Sequence, residues 1–228
     1  MPRKVRSGKL NYALKAFKQS LNSEQLEADK LIKNNPITVL LGKAGTGKTL
    51  LACYSALEAF AQKEIDHIYI TRPQVVTKEE DLGFMPGDLA AKMDPWVAPI
   101  WGNFETILGH ETYEELKADC PVKIVPFAYL RGRTLLNAHI LVDEAQNVTT
   151  AQMEKILGRL GKNSKMVFSG DSRQCDLKPH SSGLPFLTWL GEAKLQGINS
   201  IEFTVNHRHP ILDQVLTYYE VYNGKIPA

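Results

Sequence analysis

Eight residues, Gly42-Lys43-Ala44-Gly45-Thr46-Gly47-Lys48-Thr49, follow the G-x-x-x-x-G-K-[ST] spacing of a loop that cradles phosphates. Glycines here let the backbone curl until successive N–H groups point inward at phosphate oxygens, and a helix starting at the loop's end adds its positive terminus. Lys48 is expected to reach the β- and γ-phosphates of ATP, and Thr49 to offer its hydroxyl to Mg²⁺. A dinucleotide fingerprint does not fit, because the glycines run G-x-x-G-x-G and Lys48-Thr49 follow at once. A cradle alone hydrolyses nothing. Ile140-Leu141-Val142-Asp143-Glu144 supplies the other half, an apolar run ending in two carboxylates. Asp143 is expected to hold Mg²⁺ through water, and Glu144 to orient the attacking water or accept its proton. Gly170-Asp171-Ser172-Arg173-Gln174 closes another apolar run. Gln174 can sense a γ-phosphate from such a place, though a plain polar turn would read the same way.

These groups need rigid elements to aim them. Ile37-Thr38-Val39-Leu40-Leu41 is a continuous apolar run of strand length, as in a strand covered on both faces. The stretch 50–61 reads as a buried helix directly after the loop. Further strands are expected at 67–71, 122–127, 140–143, 165–169 and 201–205. Helices are expected from Asn22-Ser23-Glu24-Gln25 to the stop at Asn34-Asn35-Pro36, over 149–160, and over 211–221 after Pro210. Strand alternating with helix implies α/β architecture: a mostly parallel sheet with helices on both faces, in a single domain. Residues 73–121 break the rhythm with Pro73, Pro86, Pro95 and Pro99, and read as an insertion with short helices on the functional side.

A chain of 228 residues, 43% hydrophobic and 23% charged, has the balance of a soluble globular protein and room for one sizeable core. No apolar run approaches the roughly 18–20 residues of a bilayer span, and no apolar stretch follows the basic start as in a secretory signal. Three scattered cysteines, Cys53, Cys120 and Cys175, fit a reducing cytoplasm. A net charge of +2 does not mark a polyanion binder, but Arg3 to Lys18 holds six Lys/Arg and no acid. Residues 1–20 are therefore set apart as a basic arm or helix, either solvated or facing nucleic acid.

The chain resembles the PhoH family of RecA-like P-loop ATPases, which are related to the motor domain of superfamily 1 helicases. The likeness runs from about 21 to 222. It rests on Leu21-Asn22-Ser23-Glu24-Gln25, on the loop at 42–49 and on Thr71-Arg72-Pro73. It continues through Leu82-Gly83-Phe84-Met85-Pro86-Gly87-Asp88, Leu130-Arg131-Gly132-Arg133-Thr134-Leu135, Asp143-Glu144-Ala145-Gln146-Asn147, Gly170-Asp171 to Gln174, and Asn206-His207-Arg208-His209-Pro210. The loop at 42–49 is generic; its combination with 82–88 and 130–135 is specific. The resemblance makes 21–228 a PhoH-like ATPase domain. It implies that Gln25 contacts the adenine edge and that Arg208 serves as an arginine finger, with Arg131 and Arg133 competing for that role. Fused members of the family carry RNA-binding or nuclease domains; none is expected in this stretch, so ribonuclease activity is not implied. His207 and His209 lack a cysteine or carboxylate at ligand spacing and are not read as a zinc site.

A single lobe lacks the second surface that closes a helicase over ATP. A homo-oligomer is therefore expected, most simply a hexameric ring in which a neighbour brings the arginine. The expected partner is single-stranded nucleic acid, RNA favoured and DNA possible. Arg72 at a strand end would meet the phosphate backbone, and Phe84, Trp96, Trp101 and Phe104 would either stack bases or simply pack the insertion. The expected function is a nucleic-acid-dependent ATPase or helicase. The alternatives are a slow nucleotide-switched interaction protein and a small-molecule phosphotransferase.

Overall fold

Six apolar runs form one fully parallel sheet in the computed structural model, which describes residues 7–73, 89–118, 122–130 and 132–222. The strands are β1 (Ile37–Gly42), β2 (His67–Thr71), β3 (Val122–Ile124), β4 (Ala138–Val142), β5 (Lys165–Gly170) and β6 (Ile198–Phe203), in the order β3-β2-β4-β5-β1-β6. Parallel strands must be joined by crossovers that cover both faces of the sheet, so their side chains alternate between two cores. Leu40, Leu141 and Val167 point into one core; Val39, Ile140, Val142, Met166 and Phe168 point into the other.

The first core is roofed by α1 (Ser7–Lys18), α2 (Ser23–Asn34), α3 (Lys48–Ala61), α4 (Leu89–Leu108) and α5 (His110–Ala118). The second is roofed by α6 (Thr150–Leu157) and α7 (Leu184–Glu192), while α8 (Ile211–Tyr222) closes the described chain. Asn22 caps α2 through a complete capping box with Gln25, and Thr149 caps α6 in the same way with Gln152. Among the described residues, no helix is long and apolar enough to cross a membrane.

Several elements depart from expectation. The strand expected at 122–127 stops at Ile124, because Pro126 cannot donate to a ladder, and a 3-10 turn follows at Phe127–Leu130. β6 begins at Ile198, three residues before the run 201–205 suggested. Helix α7 was not expected at all: its sequence is apolar on nearly every side, preceded by Gly183 and interrupted by Gly191, so it shows no stripe. The insertion is not a set of short helices, since α4 alone has 20 residues. Its described part packs on α1 and α3. Phe104 is fully buried there against the Trp101 ring, which in turn meets the Tyr113 ring, so these rings pack together and Phe104 offers no surface to a base. Phe84 and the 82–88 segment lie outside the described residues. The described part of the basic N-terminal stretch, α1, is likewise tied down. Leu10 and Leu14 of α1 are buried, Lys9 pairs with Glu111 and Glu115 of α5, and Lys18 pairs with Asp29 and Glu58.

Candidate functional site

β1 ends at Gly42, and the chain turns through residues 43–47 into α3, so the loop lies at the carboxyl edge of the sheet. Two of its glycines cannot be replaced without strain. Gly45 has φ +86°, and a Cβ there would lie 2.7 Å from the Arg208 side chain and 2.8 Å from Asn206 Oδ1. Gly47 has φ +83°, and a Cβ there would lie 2.8 Å from Gln25 Nε2. Left-handed backbone and close cover together demand glycine. Lys43 contributes its carbonyl, which accepts from Thr46 Oγ1 at 2.9 Å and from Lys48 Nζ at 2.8 Å. Lys48 Nζ also donates to Gly42 O at 2.7 Å.

β5 separates β1 from β4, yet the acidic strand still delivers its carboxylate to the loop. Asp143 stands one residue past β4, its N–H bound to Thr71 O at 2.9 Å. Thr49 Oγ1 donates to Asp143 Oδ1 at 2.8 Å and lies 3.3 Å from Ser169 Oγ of β5. Ser169 was not singled out in the sequence; only its place before Gly170-Asp171 could have marked it. A cavity of about 150 Å³ brings together Lys48, Thr49, Asp143, Glu144, Gln174 and Arg208, with Ser169 and Asp171 also in its lining.

The site's electrostatics follow from burial. Burial pulls the Lys48 ammonium below its ordinary value, opposed by the carboxylates of Asp171, Glu144 and Asp143. Burial pushes the Asp143 carboxyl up, opposed first by the hydrogen bond from Thr49. Thr49 Oγ1 and Asp143 Oδ1, 2.8 Å apart beside Lys48, are hard oxygen ligands that suit a divalent cation completed by water and phosphate oxygens. Glu144 adopts left-handed backbone, φ 50° and ψ 43°, a conformation that costs a non-glycine residue about 1–3 kcal/mol and gathers at functional sites.

Gln146 is a second residue to which the sequence assigned no role, although it sits in the quoted 143–147 motif. It is 1% exposed; its Oε1 accepts from Asp171 N–H at 3.0 Å, and its Nε2 donates to Glu144 Oε2 at 2.6 Å and to Gln174 O at 3.4 Å. The turns after β4 and β5 are thereby joined, and Asn147 with Asp176 adds a reciprocal pair at 2.8 and 2.9 Å.

Gln25 and Arg208 reach the loop from opposite ends of the chain. Gln25 is buried over Gly47, its Oε1 held by the Asn22 N–H at 3.1 Å, with Nε2 3.4 Å from His207 Nε2. Glu24 accepts from Thr204 and Val205, and His207 N–H donates to Gly45 O at 3.0 Å. These bonds fold the segment after β6 across the loop, so Arg208 lines the cavity of its own chain. Arg208 comes to this place because β6 pairs with β1, so the segment that leaves β6 starts beside the loop. Arg133 is not brought to the cavity. It precedes β4, and its carbonyl meets Arg159 at the other end of that strand. Arg131 lies outside the described residues.

A family model described as PhoH-like protein matches residues 19–220. A PhoH-like protein of Synechocystis sp. is 38% identical over 197 residues, which is 84% of this chain and 58% of the relative. A PhoH-like protein of Bacillus subtilis (strain 168) is 40% identical over 202 residues, 87% of this chain and 63% of the relative. The chain therefore spans roughly three-fifths of the length of these relatives. Among solved structures, the large terminase of a thermophilic bacteriophage aligns with a TM-score of 0.50 at 12% identity, over 89% of this chain and 50% of that one. At that identity the likeness speaks for the fold alone.

Proposed function

Because the chain belongs to the PhoH-like protein family, we propose that it binds ATP with Mg²⁺ and hydrolyses it at the cavity between residues 42–49 and 143–144. The observation that carries this reading is the hydrogen bond from Thr49 Oγ1 to Asp143 Oδ1 at 2.8 Å, which joins the phosphate loop to the acidic strand across β5. Lys48 and the loop amides hold the phosphates. Thr49, and Asp143 through water, would hold Mg²⁺, whose charge offsets that of the β- and γ-oxygens. Glu144 orients the attacking water and takes its proton. Gln174 reports the γ-phosphate, and Arg208 stabilises charge on the transferred phosphoryl group from within the same chain. Gln25 meets the adenine edge through Nε2 and the second lone pair of its Oε1.

Single-stranded nucleic acid, RNA favoured over DNA, is the proposed partner, with exposed Arg72 at the carboxyl edge as a phosphate contact. A homo-oligomer, a hexameric ring in the cytoplasm, is the proposed assembly. Exposed Val215, Tyr218 and Tyr222 on α8 and the open side of the cavity support it. The test is ATP turnover with Mg²⁺, with and without RNA or single-stranded DNA, at several salt concentrations. No turnover with any of them sinks the ATPase reading. Turnover indifferent to all of them sinks the nucleic-acid reading alone.

A further inference from the structure

Both carboxylate oxygens of Glu144 are occupied. Oε2 accepts from Gln146 Nε2 at 2.6 Å, and Oε1 lies 3.4 Å from Arg72 Nη2. The Gln146 amide cannot be turned round, because its oxygen is committed to the Asp171 N–H, so its nitrogen must face Glu144. The left-handed backbone of Glu144 sets its side chain between these two partners. A carboxylate held on one oxygen by a hydrogen bond and on the other by an ion pair is fixed in direction and cannot swing freely toward an attacking water.

The two partners differ in how readily they let go. Gln146 is buried and bonded to two neighbouring turns, whereas the Arg72 side chain is 44% exposed. Arg72 directly follows β2, and β2 pairs with β4, so the guanidinium stands at the carboxyl edge beside the site and open to solvent. A guanidinium fork that pairs with a carboxylate pairs equally well with a phosphate diester.

We propose that Arg72 is a positioning residue that restrains Glu144 at rest, and that a backbone phosphate of single-stranded nucleic acid, competing for the same guanidinium, releases Glu144 for hydrolysis. The release half rests on the nucleic-acid reading given above; the restraint half does not. No covalent bond changes in this step, only the partner of Arg72.

The experiment compares ATP turnover of the wild-type chain, Arg72→Gln and Arg72→Lys, each alone and with saturating poly-U or poly-dT. A partly exposed ion pair biases its members by about two- to fivefold. Arg72→Gln should therefore turn over about two- to fivefold faster than wild type without nucleic acid and gain little when it is added. Arg72→Lys keeps a cation and should restore the low basal rate, which a merely structural defect would not. Arg72→Met, which keeps the stem and loses the charge, should match Arg72→Gln and replaces it if the polar variant folds poorly. A basal rate in Arg72→Gln or Arg72→Met no higher than wild type, with the wild type still stimulated, overturns the restraint and leaves the nucleic-acid reading standing. A wild type unmoved by either polymer overturns the release step together with that reading, whatever the variants do.

Discussion

His139 offers a measurement of how the acidic strand is held. It lies on β4 four residues before Asp143, has no solvent exposure, and neither ring nitrogen has a hydrogen-bond partner among the described residues. Burial pulls its pKa down to about 3, with the nearby Lys165 ammonium adding to the shift. The unfolded chain, with a histidine pKa near 6.5, therefore binds more protons than the folded one between about pH 3 and pH 6.5. The ring's contribution to stability is complete above pH 6.5 and is lost as pH falls. At pH 5 the unfolded chain has gained about 1.5 pH units of protonation free energy, about 2 kcal/mol at ~1.4 kcal/mol per unit. For a chain of this length that amounts to roughly 4–8 °C in melting temperature. Urea unfolding followed by tryptophan fluorescence, at pH 7.5 and pH 5, should show this loss in the wild type beyond that in His139→Leu, which has nothing to protonate at that position. Equal losses in the two proteins would falsify the assignment of a neutral, unpartnered ring to the core.

The remaining predictions concern turnover. Glu144→Gln should lower kcat by about 10²–10⁴-fold, the usual worth of a positioned general base, while ATP affinity measured by fluorescence titration stays within about tenfold. Arg208→Ala should lower kcat by about 10³-fold. Mixtures of Arg208→Ala and wild-type chains should lose activity in linear proportion to the variant, since the arginine serves its own cavity; a curved dependence would mean that it serves a neighbour. Gly45→Ala forces a Cβ into left-handed backbone and against Arg208 and Asn206, at about 1–2 kcal/mol. Calorimetry should show a melting point a few degrees lower, and the KM for ATP should rise as the 206–208 segment is pushed off the loop.

Local chemistry was legible in the chain alone. The loop at 42–49, the carboxylates at the end of an apolar run, and the Asn22–Gln25 cap each depend on residues within a few positions of one another, where backbone periodicity decides the geometry. Tertiary structure decided everything that joins distant segments. The strand order put β5 between the loop and the acidic strand and so brought Ser169 to Thr49. Pairing of β6 with β1 carried Arg208 back over Gly45, far away along the chain. Pairing of β2 with β4 set Arg72 against Glu144, and the turn after β5 fixed which way the Gln146 amide points. Phe104 reads in sequence either as a stacking ring or as packing of the insertion, and the lie of α4 on α3 made it core. Residues far apart in sequence meet only through the sheet's topology, and no periodicity within one segment encodes which strands will be neighbours.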